Sequence, residues 1–102
     1  MAFDKMKQLY EMQKKARSVQ KELKNLEIEA VSPDDAVKVV FNGELKLQSV
    51  VIDQAYYDNH NAKDLGRVIE TTITDALDQA QKVAADRTRD MMKDLNINLP
   101  GM

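Results

Sequence analysis

Three hydrophobic periods follow one another along the chain, and each specifies a different element. Over residues 3–26 apolar positions fall at Leu9, Met12, Ala16, Val19, Leu23 and Leu26, at spacings of three and four in alternation. That is the a/d seam of a heptad-patterned helix. The stretch contains no Gly or Pro and is rich in Lys, Gln, Glu, Leu and Met, all good helix formers. A helical, coiled-coil-like arm over about 3–26 is the expectation. From about 26 to 53 the period falls to two, the signature of half-buried strands. "LEIEAV" sets Ile28 and Ala30 on one face, "SPDD" breaks the run, and Val37–Phe41 meets a third strand across Asn42-Gly43.

The register of that hairpin can be argued from burial. A two-residue turn would set Val39 opposite Lys46 and Val37 opposite Gln48, pairing core with solvent. An odd loop, such as a type I turn with Gly43 left-handed in a bulge, sets Val39 opposite Leu45 and Val37 opposite Leu47. The odd loop is therefore expected. The inner face then reads Val37, Val39, Leu45, Leu47 and Val51, with Lys38, Lys46 and Gln48 behind. Val50 and Ile52 break the alternation, which predicts cover on both sides at the end of the third strand. Asp53 is placed to cap a short "QAYY" turn.

The period then returns to 3.6. Leu65, Ile69, Ile73, Ala76, Ala80, Val83/Ala84, Met91 and Leu95 form the stripe of a C-terminal helix over about 62–95. Asn61 and Asp64 are spaced like a capping box, with Asp in place of the usual Glu. Gly66 weakens the first turns, and "NINLPGM" ends the helix. The expected fold is one α+β domain over residues 1–102: a two-layer α-β-β-β-α arrangement with a three-stranded antiparallel sheet and two long helices.

Length then argues for a second chain. An arm of this extent is roughly 35 Å long, whereas strands of five or six residues span about 17–20 Å. So short a sheet cannot cover the whole seam, and the overhang predicts an oligomer, most simply a twofold homodimer. Leu9, Met12 and Val19 of the seam, with Val50 and Ile52 of the third strand, are the expected dimer contacts.

Charge changes the picture next. The net charge is only −2, but it is unevenly spread. Met1–Asn25 carries seven lysines and arginines against three carboxylates, and the remainder eight against fourteen. The chain contains no cysteine, so it offers no disulfide, thiolate metal site or Cys nucleophile. Its start is charged throughout, without the apolar core of a secretory signal, and no transmembrane run occurs. A cytoplasmic protein is the expectation.

Enzymatic readings find no residue set. The single histidine, His60, lies in the polar loop "YYDNHNAKD" and reads as an exposed loop residue. Asp34/Asp35 and Asp53/Asp58 lack a calcium-loop frame and read as turn residues and caps. No phosphate-binding glycine motif occurs. No enzyme, cofactor, metal or small-molecule substrate is expected.

The arm's cations are more informative. With the seam at a/d, Lys7, Lys14 and Lys21 all fall at f, directly opposite it, and Arg17 and Lys24 fall beside them at b. These five form one outward stripe, interrupted mainly by Glu11. Such a stripe suits the regular phosphate track of a duplex, whose neutralisation releases counterions. A solvated helix face gives the same stripe, and the pattern alone does not separate the two. The C-terminal helix cations Lys82, Arg87, Arg89 and Lys93 are partly cancelled by Asp86, Asp90 and Asp94. Phe3, Tyr10, Phe41, Tyr56 and Tyr57 are not interleaved with basic strand positions, as base stacking would require. Double-stranded DNA held by its backbone is the nucleic acid that fits. The seam is too narrow for membrane insertion. The alternative is an adaptor dimer whose arms clamp another protein; its binding would survive reversal of Lys7, Lys14 and Lys21.

Taken in order, the "MKQLYEMQKKARSVQKELKNLE" arm, the "VKVVFNGELKLQSVVID" hairpin and "LGRVIETTITDALDQAQ" resemble the YbaB/EbfC family of nucleoid-associated proteins. The resemblance covers nearly the whole chain and rests on order and spacing. It implies an α-β-β-β-α fold, a tweezer-like homodimer and binding that bends or coats DNA. It also implies a chromosome-associated place in the cytoplasm and an influence on gene expression. The chain departs from the family pattern in "SPDD" for a glycine-rich loop, in Gln54 for a proline, and in Thr74-Asp75-Ala76 for "NDA".

Overall fold

The computed structural model describes residues 2–94. The elements run α1 (Ala2–Asn25), β1 (Ile28–Val31), β2 (Val37–Phe41), β3 (Leu47–Ile52), α2 (Gln54–Asn59) and α3 (Ala62–Asp94). The strands form one antiparallel sheet in the order β1-β2-β3. The α+β architecture is thus the one expected, with α2 as the short turn after Asp53. Leu95 and the tail lie outside the described residues.

The core forms between the sheet and α3. Ile28, Ala30, Ala36, Val37, Val39 and Phe41 are buried against Ala76 and Ala80, with Leu65, Val68, Ile69, Ile73 and Leu77 packed around them. Thr72, Ala76 and Ala80 recur every fourth residue and are buried, so one line of small side chains lets the α3 backbone approach the sheet closely. Val37 and Val39 are wholly enclosed there. By length alone, part of the α1 seam is expected against the sheet; instead α3 covers the sheet, and α1 packs along α3. The ion pairs Lys15–Asp94 (3.5 Å) and Glu22–Arg87 (2.6 Å) show that the two helices run antiparallel. The chain is drawn out to 69 × 26 × 16 Å.

The caps form as the sequence indicates. The Asp53 carboxylate accepts from the Tyr56 amide at 3.0 Å, and Asn61 Oδ1 accepts from the Asp64 amide at 2.8 Å. In the "SPDD" turn the buried Ser32 hydroxyl donates to Asp34 (3.0 Å) and accepts from the Val37 amide (3.0 Å). Asp35 takes a left-handed backbone there, φ 58°, a conformation that Asp tolerates. His60 is exposed and stacks on Tyr56 with ring centroids 3.7 Å apart.

The hairpin register differs from the expected one. Val39 pairs with Val50 and Val37 with Ile52, not with Leu45 and Leu47. The loop is odd, as argued, but it takes in Asn42 to Lys46, and an extra residue, Gln48, bulges between the Val40–Ser49 and Phe41–Leu47 pairs. Buried Asn42 sets this length, because its side-chain oxygen accepts from the amides of Glu44 (2.9 Å) and Lys46 (3.0 Å). The left-handed residue is Leu45, φ 66°, and not Gly43. The bulge turns Val50 and Ile52 toward the inner face and sets Val51 opposite Lys38 on the outer one. The chain itself does not give β3 the double cover: β3 is an edge strand, and Leu47, Val50, Val51 and Ile52 all remain exposed.

Candidate nucleic-acid interface

Lys7, Lys14, Arg17, Lys21 and Lys24 are all exposed along α1. Lys7, Lys14 and Lys21 recur every seventh residue, which sets them about 10.5 Å apart along the helix axis. Among the described residues, none of the five lies in an ion pair, whereas Lys15, Lys38, Arg87 and Arg89 each do. The pattern has a simple cause. Lys15 and Glu22 lie on the side of α1 that meets α3, where carboxylates and cations interleave, while the five stripe cations face away from it. Arg87 is held by two bonds, donating through Nε (2.6 Å) and Nη2 (3.1 Å) to the two oxygens of Glu22. That bidentate bond holds the Glu22 carboxyl below its ordinary pKa and pushes the Arg87 guanidinium up. Of the four α3 cations Lys82, Arg87, Arg89 and Lys93, Arg87 and Arg89 are therefore engaged within the chain.

The β2–β3 loop closes on the same helix. The Gly43 amide donates to the Leu23 carbonyl at 2.6 Å, a carbonyl near the helix C-terminus. A Cβ on Gly43 would stand 2.7 Å from that oxygen and 2.8 Å from Leu23 Cα. Only glycine permits this approach. The contact brings Glu44 and Lys46 beside Arg17, Gln20, Lys21 and Lys24, which together line an open groove of about 440 Å³. Sequence reading assigned Lys46 to the solvent face of the sheet and left Gln20 out. No local signal places them at the arm, because only the tertiary Gly43–Leu23 contact does so.

The seam residues divide into two groups. Val19 is buried, with Leu23 and Leu26 half-buried, while Leu9, Met12 and Ala16 stay exposed. Val19 is thus covered within its own chain, whereas Leu9 and Met12 of the expected contact set remain open on it. The cause is the antiparallel pairing of α1 and α3, in which Lys15 lies level with Asp94, the last described residue of α3. N-terminal to that level, Phe3, Met6, Leu9 and Tyr10 are 84, 66, 60 and 67% exposed. Among the described residues no group of acidic or His side chains is arranged to hold a metal, and no helix is long and apolar enough to cross a membrane.

The chain as a whole has counterparts among known proteins. The profile of the YbaB/EbfC DNA-binding family matches residues 2–95. The chain belongs to this family. Two similar relatives are nucleoid-associated proteins of Clostridium kluyveri and Prochlorococcus marinus. The first is 34% identical over 99 residues, covering 95% of this chain and 83% of its own. The second is 33% identical over 105 residues, covering 99% and 84%. A nucleoid-associated protein of Rhizobium meliloti is 32% identical and covers 95% of this chain and 90% of its own. An uncharacterized protein of Helicobacter pylori, known from a crystal structure, shares the fold with a TM-score of 0.73. At 18% identity, it covers 82% of this chain and 88% of its own.

Proposed function

We propose that this YbaB/EbfC-family protein is a nucleoid-associated protein that binds double-stranded DNA as a homodimer, mainly through the phosphate backbone. One observation carries the reading: five exposed cations, none in an ion pair among the described residues, share the outer face of α1. Cations held in internal pairs would have to break them before meeting phosphate; these do not. A helix of 24 residues is about 36 Å long, so each arm offers a rigid row of charges that releases counterions on binding. The acidic remainder repels phosphate and limits contact to the arms.

The dimer is supported by the exposed apolar surfaces. β3 is an edge strand, and Val50 and Ile52 are each 37% exposed. An apolar edge of this kind favours pairing with another strand. The arm's Leu9 and Met12, beyond the reach of the described part of α3, are the second surface. A second copy covering both would bring two arms to one duplex, giving the geometry to bend or coat it and so to modulate gene expression. The reading places the protein in the cytoplasm, on the nucleoid.

The test is fluorescence anisotropy of a generic duplex with the wild type and with the Lys7→Glu/Lys14→Glu/Lys21→Glu protein, across salt concentrations. Wild-type binding that weakens steeply with salt and is lost in the triple variant is the expected result. Equal binding by both proteins would remove the arm from the interface.

A further inference from the structure

We infer that the groove between α1 and the β2–β3 loop seats a duplex phosphate, with Lys46 as a contact on the wall opposite the arm and Glu44 as a built-in restraint. The inference rests on the DNA reading above and adds a site to it. Elsewhere on α1 the cations stand on one convex surface. In the groove they stand on two walls, Arg17, Lys21 and Lys24 on the helix, with Gln20 beside them, and Lys46 on the loop. An anion seated there is approached from two sides, and Arg and Lys donors on both walls suit the oxygens of a phosphodiester.

The loop wall is held in place. Gly43 is fastened to Leu23, and Asn42 Oδ1 holds the amides of both Glu44 and Lys46. Backbone pairing between Asn42 and Lys46, 2.9 Å from amide to carbonyl, closes the loop from the other end. The Lys46 backbone is thereby fixed relative to the arm before any ligand arrives, which lowers the ordering cost of binding. Among the described residues neither Lys46 nor the three arm cations of the groove is in an ion pair. Among the described residues Glu44 is the one carboxylate in the lining. Set among four cations, it lowers the local potential, so the groove is weaker for phosphate than its cations alone would make it.

The experiment compares salt dependence of duplex binding for the wild type, Lys46→Ala, Glu44→Gln and Lys38→Ala. Lys38 serves as the charge-matched control, because it lies outside the groove and is paired with Glu29 at 3.5 Å. Lys46→Ala is expected to reduce the slope of log K against log salt by about 0.9, the value for one phosphate contact. Lys38→Ala should leave the slope unchanged, and Glu44→Gln should tighten binding at every salt concentration. An unchanged slope in Lys46→Ala, or an equal loss in Lys38→Ala, overturns the groove while leaving the arm stripe intact. Absence of salt-dependent binding in the wild type overturns the DNA reading itself.

Discussion

Gly43 and Gly66 show how differently the same residue type behaves in this chain. At Gly43 the backbone does not take the left-handed turn that Asn-Gly suggests. The glycine is needed because the Leu23 backbone lies where a Cβ would be. Leu45 takes the left-handed position instead, φ 66°, at a cost of roughly 1–2 kcal/mol. Gly66 lies in α3 with open space around it. Gly43→Ala is therefore expected to destabilise the fold by about 1–3 kcal/mol, through overpacking against backbone that cannot yield. Gly66→Ala should stabilise it by about 0.5–1 kcal/mol, by reducing the entropy of the unfolded chain. Urea unfolding of the two variants beside the wild type checks both signs at once. Similar losses in both would remove the distinction drawn between them.

Among the elements, the packing of α1 on α3 was the least legible. Both helices are apparent from their periods, and α3 starts at Ala62 as expected and continues to Asp94, the last described residue. Their mutual arrangement depends on pairs 65 or more residues apart in sequence, Glu22 with Arg87 and Lys15 with Asp94, and no local pattern encodes such a pair. The Glu22–Arg87 bond also makes a pH-dependent contribution. Folding lowers the Glu22 pKa from its ordinary 4.5, chiefly through the hydrogen bond from Arg87. The stability it adds is thus present above that ordinary value and is lost as pH falls through the lowered one. Glu22→Gln is expected to lower Tm at neutral pH and to converge with the wild type in acid. Parallel Tm curves across that range would show that the pair adds nothing. The hairpin was half legible: its odd loop followed from burial, but its length was set by the Asn42 side chain and its register by the bulge at Gln48.

For the whole molecule, the exposed arm and the open β3 edge have the same consequence. A single chain leaves Leu9, Met12, Val50 and Ile52 in water, and a second copy would remove them from it. Light scattering should give twice 11.6 kDa for the wild type. For Leu9→Glu combined with Val50→Asp it should give one chain's mass, with the helical circular dichroism of the body retained. Val19→Glu is expected to differ from both, unfolding the arm's base because its side chain is buried within the protomer. A wild type of single-chain mass at tens of micromolar would sink the dimer.

The sequence by itself determined the elements, their order, the caps at Asp53 and Asn61, the outward placement of the five arm cations and the membership of the family. Each depends on spacing within a few residues, on which helix and strand periods act directly. Tertiary structure alone decided that α3 rather than α1 covers the sheet, that Val19 is enclosed while Leu9 is not, and that Lys46 stands beside the arm. Those outcomes depend on which surfaces approach most closely. In this chain that is settled by small side chains, Ala76 and Ala80 under the sheet and Gly43 under Leu23. Their effect lies in what they leave room for, and a residue defined by its missing atoms announces no partner in the sequence.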